Sequence, residues 1–437
     1  MKQEAFSARI GRRAFVVALM GTAAAVALPD GAFAQGWFSS NKKGNWQNSG
    51  KQEAPTQTEV INDLRVRPML TTQSEFFMQD AIARYEIIVT RGGWPAVPGG
   101  KALVLDSKSK AVPILRERLR AEGYLPEGQV EYDKIYDEYV EEGVRRFQLA
   151  HGLYANGRLD NGTTNALNVP AAARLDQLRA NLPRVVEYSK NLGRRYIVVN
   201  IPAAQLDAVE NGQLRSRHNI VVGKIDRPSP VVISQVSDIN FNPYWNAPAS
   251  IVQRDIIPQM MKDPQILQKM QIRVYDGVGG PEIDPSTVDW RNTPPERYHF
   301  RQEPGDGNAM ASVKINFSNP YAVYMHDTPT KQLFTEASRY FSSGCVRVDK
   351  VHILTNWILN GQEGWNTDRI EQMVASKERL DVKVMDPPQV RFAYLTAWVA
   401  DDGTAFFRPD IYHLDGTGFV TGQPEPRPEA IANNSAG

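Results

Sequence analysis

The stretch "YFSSGCVRVDK", residues 340–350, holds the single cysteine of the 437-residue chain, and "YMHDT", residues 324–328, lies upstream of it. A thiolate attacks carbonyl carbon well, but a thiol with an ordinary pKa of about 8.5 needs a nearby imidazole or helix N-terminus to form thiolate at neutral pH. His326 could supply that imidazole to Cys345. The pattern therefore predicts a cysteine nucleophile and a histidine base.

The turn that carries the cysteine favours the same interpretation. Gly344 permits tight backbone geometry directly before the thiol, and we expect a helix to begin near Asp349. The backbone amides of Gly344 and Cys345 could line an oxyanion hole for a tetrahedral intermediate. A lone cysteine is often an inert core residue instead, but polar neighbours such as Ser343 make this turn a poor place for core packing.

Short β-branched and aromatic runs surround the predicted pair. They include "RYIVVNIP", "NIVVGK", "SVKINFSNPYAVYMHD" and "LDVKVMD", which predict a sheet-built domain over residues 195–390. Longer helices are expected only near 250–271 and in "KVHILTNWILNG". Residues 275–310 are rich in Pro, Gly and Asp, a composition typical of a functional lid or of disorder. A C-terminal segment, 391–437, follows.

Helical periodicity precedes the predicted sheet domain. Residues 59–109 are predicted to form a helical scaffold, with a helix that starts near Ser74 and stops at "RGGWPAVPGG". Residues 110–170 are predicted to form a small helical domain, and residues 171–194 a connecting helix. The apolar faces of the small domain would comprise Val112, Leu115, Leu119, Tyr136, Val140, Val144 and Phe147. The fold class is therefore a multidomain α+β protein.

The N-terminus is typical of an exported protein. Residues 1–34 combine basic residues, the apolar run "AFVVALMGTAAAVAL" and a small-residue "AFA" cleavage pattern. The pair in "IGRRAFVV" is similar to the twin-arginine type of signal, and the choice between the general and the twin-arginine routes stays open. The apolar run is too short to span about 30 Å of hydrocarbon comfortably. We expect cleavage after Ala34, a polar linker over residues 35–58 and a periplasmic protein that is not integral to the membrane.

Composition excludes several classes of function. Fifty basic residues and 49 acidic ones nearly cancel, so the chain lacks the strong positive electrostatic potential that would attract nucleic acid. One cysteine permits neither an internal disulfide nor a multi-thiolate metal site, and Asp and His do not recur at ligand spacing. We therefore expect no metal and no cofactor.

Two longer segments resemble known families. "VRRFQLAHGLYANGRLDNGTTNALN" resembles the peptidoglycan-binding repeat of bacterial wall enzymes. "HDTPTKQLFTEASRYFSSGCVRVDK" resembles the signature of L,D-transpeptidases with a YkuD-like catalytic domain, and similar blocks extend over most of residues 60–415. The commoner family form has a second histidine directly before the glycine, where this chain has Ser343. The variant is similar to the large periplasmic members that also carry a peptidoglycan-binding repeat.

The resemblance implies a fold and a set of site residues. It implies a mainly-β sandwich with a capping insertion at about 250–308. Cys345 would be the nucleophile and His326 the base, with Gly344 and Ser343 shaping the oxyanion pocket. Three further residues would bind substrate or support the site: Arg347, Tyr324 and Asp327.

The resemblance also implies a reaction. A tetrapeptide stem of peptidoglycan would be attacked at the carbonyl of its third residue, meso-diaminopimelate, with release of D-Ala, and a cysteine thioester would then pass to an amine to form a 3-3 cross-link. The partners would be stem peptides and glycan, and carbapenem-type β-lactams would inhibit. Two alternatives stay open: a cysteine L,D-carboxypeptidase or hydrolase of wall peptides, and a non-catalytic peptidoglycan-binding protein. The identity of the acceptor amine also stays open.

Overall fold

The computed structural model describes residues 54, 56–61, 66–126 and 134–424. The predicted export signal, 1–34, and most of the predicted linker lie outside the described residues, as does the end of the C-terminal segment from residue 425. No helix of the described part is long and apolar enough to cross a membrane.

Helices occupy the N-terminal part of the described chain and recur around the sheets. Helix α1 begins at Ser74, as the periodicity predicts. The helices are α1 Ser74–Thr90, α2 Ala111–Ala121, α3 Glu138–Ala150, α4 Asn161–Leu167, α5 Ala171–Ser189, α6 Ala249–Ile251, α7 Ile257–Met260, α8 Ile266–Lys269, α9 Val351–Leu359 and α10 Thr367–Ser376.

Strands dominate the chain after α5. The strands are β1 Glu59–Val60, β2 Arg195–Asn200, β3 Gln205–Glu210, β4 Gln213–Gly223, β5 Val232–Phe241, β6 Trp245–Asn246, β7 Ile272–Tyr275, β8 His299–Gln302, β9 Val313–Phe317, β10 Met325–His326, β11 Tyr340–Ser342, β12 Val346–Val348, β13 Leu380–Lys383, β14 Gln389–Ala393, β15 Ala397–Val399 and β16 Ala405–Phe407. The combination of helical units and a large sheet core confirms the predicted mixed fold class.

The central strands form two packed sheets that share two long strands. In one sheet the order is β1-β4-β3-β2-β14-β5, and in the other it is β4-β12-β10-β9-β5-β13. The first halves of β4 and β5 pair within one sheet and their second halves within the other. A sandwich joined by strands that pass from one sheet to the other encloses a single apolar core. Strand β14 crosses residue 390, where the catalytic domain was predicted to end.

The small helical domain has a core of its own. Every apolar residue that the sequence placed on its inner faces is fully buried. Helix α3 begins where the Asp137 side chain accepts a hydrogen bond from the Val140 N–H at 3.0 Å, so the cap fixes the start of the helix. Phe406 of β16 packs against this core as well as against the main one. The domain is therefore joined to the sandwich through the C-terminal hairpin β15–β16.

Residues 245–310 form a compact unit with its own apolar cluster, which we call the cap. The cap contains a small sheet in the order β6-β8-β7 and buries Trp245, Trp290 and Phe300. A longer helix is expected near 250–271, and the structure has a continuous helical run over residues 249–260, in which a π-helical turn Val252–Ile256 lies between α6 and α7. The run ends before Pro264, and only the short helix α8 follows it.

The turn after α3 fits tightly against the C-terminal segment. Gly152 has a φ of +66°, and a Cβ there would lie 2.8 Å from Cδ and Nε of Arg408. Arg408 is buried and donates a hydrogen bond to the Ala150 carbonyl at 2.8 Å, so it cannot move aside without losing that contact. Glycine is required here by backbone conformation and by space together.

We predict that Gly152→Ala destabilises the protein more than Gly416→Ala does. Gly416 has a φ of +77° but open space around it, so alanine there adds only the left-handed backbone cost of roughly 1–2 kcal/mol. Alanine at 152 adds the collision with Arg408. Calorimetry of the two variants should show the larger fall in unfolding temperature for Gly152→Ala. Equal shifts would mean that this contact does not hold the helical domain in place.

Candidate active site

Strands β10 and β12 lie side by side in the second sheet and bring the two predicted catalytic residues together. They pair in parallel, with Met325 opposite Val346 and His326 opposite Arg347. Met325 and Val346 are fully buried in the core. Because side chains alternate along a strand, the residues on either side of this buried pair point to the opposite face. His326 and the residue just before β12, Cys345, therefore share the outer face under the cap.

Tyr324 and Lys314 lie next to the predicted pair on the same face. Tyr324 precedes Met325, and the Val346 N–H donates to the Tyr324 carbonyl at 3.0 Å. Lys314 of β9 pairs with His326 across the antiparallel ladder, and its ammonium lies 4.4 Å from the centre of the Tyr324 ring. The Tyr324 and His326 rings meet edge to face, with centroids 5.5 Å apart.

The thiol is partly buried and receives hydrogen bonds from Tyr324. Burial raises the pKa of the Cys345 thiol above its usual value, although the hydrogen bonds from Tyr324 and the charges of Lys314 and Arg347 act in the opposite direction. In the resting protein at neutral pH the sulfur is therefore protonated. A base must remove its proton during the reaction.

His326 has the protonation state that such a base requires. Its Nδ1 lies 2.5 Å from the Asp327 carbonyl oxygen. Because a carbonyl can only accept, Nδ1 carries the proton and Nε2 is the basic nitrogen. Burial, reinforced by the positive charge of Arg347, lowers the pKa of His326 from 6.5 to about 3. The imidazole is neutral at pH 7 and able to accept a proton.

The turn before the thiol is fixed from both sides. The Ser342 hydroxyl donates to the Cys345 carbonyl at 2.6 Å and accepts from the Gly344 N–H at 3.2 Å. Ser229 donates to the Gly344 carbonyl at 2.7 Å. Gly344 has a φ of +116°, which L side chains rarely adopt, so glycine is needed at this position. Because the Gly344 N–H is engaged by Ser342, the Cys345 N–H is the better candidate for an oxyanion donor.

Ser343 connects the turn to the cap. It is exposed, and its hydroxyl accepts from Arg227 at 3.1 Å. Arg227 also holds Asp255, on the π-helical turn of the cap, through contacts of 2.5 and 3.1 Å. One guanidinium thus bridges the cap and the residue two positions before the thiol.

The cap also contacts the site through Trp245. This side chain is buried at the start of β6. It hydrogen bonds to the Tyr324 hydroxyl, which in turn hydrogen bonds to Cys345. A direct chain of side chains therefore connects the cap to the thiol.

Asp327 follows His326 in the chain and is held in place by its own partners. It is buried and accepts from the Ser312 hydroxyl at 2.6 Å, and Lys331 forms an ion pair with it. Burial acts to raise the pKa of Asp327, but Lys331 and Ser312 outweigh it and hold the pKa below its usual value. The same Ser312 oxygen lies 2.7 Å from Nε2 of His352. Since the hydroxyl proton goes to Asp327, that nitrogen must carry a proton and cannot act as a base.

Arg347 is buried beside the thiol and contacts Thr330. Its Nη1 donates to the Thr330 hydroxyl at 3.1 Å. Burial lowers the pKa of Arg347 to about 10, and the charge of Cys345 acts in the opposite direction. The guanidinium remains charged at neutral pH and contributes positive potential at the site.

The expected helix near Asp349 begins at Val351 instead, as α9. Strand β12 separates it from Cys345. The influence of a helix dipole falls off within the first turn, so this helix does not supply the charge that activates the thiol.

Sequence reasoning missed several residues that the fold brings to the site. The alternation of polar and apolar residues in "SVKINF" could have identified Lys314, because this cation lies between two inward-facing apolar residues. No local pattern marks the others, since their role depends on contacts between distant segments: Arg227, Ser229, Trp245, Ser312 and Ser342. Among the described residues, no group of three or more His, Cys, Asp or Glu side chains could hold a metal ion.

Two family models match the chain in the regions just described. Residues 194–399 match YkuD, the L,D-transpeptidase catalytic domain. Nearly half of the chain is therefore similar to the L,D-transpeptidase catalytic domain. Residues 108–167 match a model described as "Putative peptidoglycan binding domain". The first match spans the sandwich and the cap, and the second match coincides with the small helical domain.

A curated relative agrees with the domain assignment. The chain is 34% identical over 220 residues to a Haemophilus influenzae protein named "Putative L,D-transpeptidase", a match that covers 50% of this chain and 44% of that protein. The match therefore spans less than half the length of the relative.

Solved structures with detectable likeness include two L,D-transpeptidases. The one from Xylanimonas cellulosilytica is 15% identical, with 62% of this chain and 95% of that chain covered and a TM-score of 0.20. The one from Stackebrandtia nassauensis is 11% identical, with 68% and 96% covered and a TM-score of 0.23. A fused Zn-dependent amidase/peptidase and peptidoglycan-binding protein from Clostridium acetobutylicum is 18% identical, with 31% and 69% covered and a TM-score of 0.14.

We predict that alkylation of Cys345 in the unliganded protein keeps accelerating above pH 9. A cysteine–histidine ion pair would give a plateau near neutral pH, whereas the raised pKa of this thiol leaves little thiolate there. Lys314→Met should slow alkylation at pH 8 further, because it removes a charge that stabilises the thiolate. Exposed, remote Lys101 provides the matched control Lys101→Met. A plateau between pH 6 and 8 in iodoacetamide kinetics would contradict the prediction.

Proposed function

We propose that this chain is an exported peptidoglycan L,D-transpeptidase with Cys345 as nucleophile and His326 as general base. The observation that supports this most strongly is the β10–β12 register, which puts both side chains on one face beneath the cap. The L,D-transpeptidase domain match supplies the reaction class. A buried cysteine without a chemical role would not need a neutral imidazole, two cations and a capped face around it.

Acylation begins with transfer of the thiol proton to Nε2 of His326. The sulfur attacks the carbonyl carbon of the third stem residue, and the oxyanion forms next to the Cys345 N–H and the positive charges of Lys314 and Arg347. As the tetrahedral intermediate collapses, the C–N bond to D-Ala breaks and the imidazolium returns its proton to the leaving amine. The product is a thioester on Cys345 and free D-Ala.

Deacylation repeats the steps with an incoming amine. The amine attacks the thioester carbonyl, His326 accepts its proton, and the thiol leaves as the protonated Cys345 once the proton returns. With the side-chain amine of a second diaminopimelate as acceptor, the product is a 3-3 cross-link. The proton taken from the amine ends on the Cys345 sulfur, so the enzyme returns to its resting state.

The cap favours an amine over water as acceptor. Tyr324 hydrogen bonds to the sulfur and Trp245 to Tyr324, so these side chains occupy part of the space next to the thiol, and a site that limits access of water protects a reactive acyl intermediate from hydrolysis. For this reason we place transpeptidation ahead of L,D-carboxypeptidase or hydrolase activity, which would use the same residues with water as acceptor.

The polar face near the thiol suits an anionic stem peptide. Lys314 lies next to His326 in the ladder, and Asn240 of β5 lies next to Lys314. A cation flanked by amides can hold a carboxylate and peptide groups. The predicted export signal at 1–34 would place the enzyme in the periplasm, where its substrate is found, and the small helical domain would bind the wall polymer.

We predict that Cys345→Ala abolishes D-Ala release from purified tetrapeptide muropeptides, measured by mass spectrometry. His326→Gln should lower turnover by about 10²–10⁴-fold, the usual contribution of a general base. His352→Gln should retain most activity, because its Nε2 donates to Ser312 rather than serving the thiol. Product formation by a folded Cys345→Ala protein would refute the assignment, and a larger loss in His352→Gln than in His326→Gln would identify a different base.

Carbapenem-type β-lactams should acylate the enzyme once per chain. The strained lactam carbonyl presents the same electrophile to Cys345 as the stem amide does, and its ring opening leaves the acyl group attached. Intact-mass measurement should show one adduct on the native chain and none on Cys345→Ala. An adduct that persists on the variant would place the acylation elsewhere.

Loosening the cap should raise the share of hydrolysis. Arg227→Ala removes the bridge between Ser343 and Asp255, so water should reach the thioester more often. Arg254→Ala, at an exposed position on the same π-helical turn, is the matched control. With a fixed concentration of acceptor amine, the ratio of tripeptide to cross-linked product should rise in Arg227→Ala alone. An unchanged ratio would show that the bridge does not control water access.

A further inference from the structure

One row of polar side chains crosses the outer face of the second sheet, starting at the proposed base. Strand pairing puts Lys314 opposite His326 and Asn240 opposite Lys314. Asp381 follows opposite Asn240. Side chains that face each other on paired strands have Cβ atoms about 5 Å apart. The first neighbour of His326 in this direction is therefore a cation, close enough to contact a group that is bound at the imidazole.

The protein does not supply a counter-ion to Lys314 within the described residues. The ammonium lies over the Tyr324 ring, 4.4 Å from its centre, and forms neither a hydrogen bond nor an ion pair with a described residue. The charges of Asp238 and Asp381 act on it only through space. Asp381 is paired with Arg379 at 2.5 Å, and Asp238 accepts hydrogen bonds from neighbouring side chains.

A ligand can reach the ammonium of Lys314. The side chain is partly exposed, and its Nζ is not enclosed by the protein. Partial burial nevertheless lowers the pKa of Lys314 below its usual value. Removing part of the water around a charge costs free energy unless a partner of opposite charge compensates. The face beside the thiol thus presents an accessible cation that an anionic group of the substrate would stabilise.

The other cation of this row is less suited to a ligand. Arg347 lies opposite His326 on the other side, is buried, and donates to the Thr330 hydroxyl at 3.1 Å. Its guanidinium is therefore already engaged within the protein. Of the two cations that flank the imidazole, Lys314 is the one that remains available to substrate.

The two half-reactions present the same anion next to the reacting nitrogen. In acylation the C–N bond to D-Ala breaks, and the nitrogen that receives the proton of His326 is attached to a carbon that bears a carboxylate. In cross-linking, the nitrogen that gives its proton to His326 belongs to the D-centre of diaminopimelate, and its carbon also bears a carboxylate. The second step is the reverse of the first with a different amino acid, so one subsite can serve both.

We propose that Lys314 binds this α-carboxylate, first on the departing D-Ala and then on the entering amino acid. The reacting nitrogen lies at Nε2 of His326, and the carboxylate lies at the next position of the row. The inference rests on the proposed function and adds the specificity of the acceptor site. Amines with an α-carboxylate are preferred, whereas a simple amine such as the lysine side chain lacks the group that Lys314 holds.

Exchange of isotopically labelled D-alanine into an unlabelled tetrapeptide donor tests the proposal with the full-length protein. D-Alaninamide is the comparison acceptor, because it has the same carbon skeleton and amine but no carboxylate. Rates are read by mass spectrometry of the products and corrected for the fraction of free amine at the assay pH. The native protein should use D-alanine roughly 10–100-fold better, the value of one hydrogen bond between charged groups.

Lys314→Met should reduce this preference to about threefold or less, because methionine keeps the contact with the Tyr324 ring and loses the charge. Weaker stabilisation of the oxyanion would slow both amines alike, so the ratio of the two rates reports the carboxylate contact alone. Lys383→Met is the matched control. It removes an exposed cation from β13 on the same face of the sheet and should keep the native ratio.

The possible outcomes separate this inference from the enzymatic function. Equal use of the two amines by the native protein would overturn the inference, whether or not Lys314→Met folds. A preference that persists in folded Lys314→Met, or D-Ala release without exchange of either amine, would also overturn it. In each of these cases D-Ala release by the native protein leaves the enzymatic function standing. Absence of D-Ala release would refute the proposed function and this inference with it.

Discussion

The parallel pairing of β10 with β12 is the constraint on which the site depends. These strands are very short, yet their register decides that Met325 and Val346 fill the core while His326 and Cys345 face outward together. A shift by one residue would turn one of the two reactive side chains into the sandwich. The fully buried pair and the flanking ladders with β4 and β9 hold that register. The proposed catalytic geometry therefore rests on ordinary apolar packing of the opposite face.

The sequence predicts the elements better than it predicts the environment of the site. Alternation and helical periodicity identify the strands, the helical domain and the start of α1, because each depends on neighbours close in the chain. The sequence also suggests the proposed reactive pair, since a lone Cys345 in a glycine turn downstream of His326 resembles a known motif. The charges that tune the pair are not visible in this way. Lys314 acts through a ladder partner, and Arg227 through a loop that meets the cap.

The cap shows what composition alone leaves out. The run rich in Pro, Gly and Asp, 275–310, is largely irregular between β7 and β8, as expected, but it belongs to a cap, 245–310, that has a small sheet and an apolar cluster of its own. Aromatic residues spaced widely in sequence supply that cluster, so no short window reveals it. The cap then contributes Trp245 to the chain of contacts that ends at the thiol. Burial under the cap explains both the raised pKa of Cys345 and the lowered pKa of His326, and it makes proton transfer part of the reaction rather than of the resting state.

The central claim is that Cys345 carries the acyl group between donor and acceptor. Mass spectrometry of the enzyme, quenched in acid shortly after mixing with tetrapeptide donor and without acceptor amine, tests it most directly. The account predicts a mass increase equal to the stem peptide minus its terminal D-Ala, located by peptide mapping on Cys345 and released by added amine as cross-linked product. Turnover with no covalent species on Cys345, or with the acyl group on another residue, would contradict it.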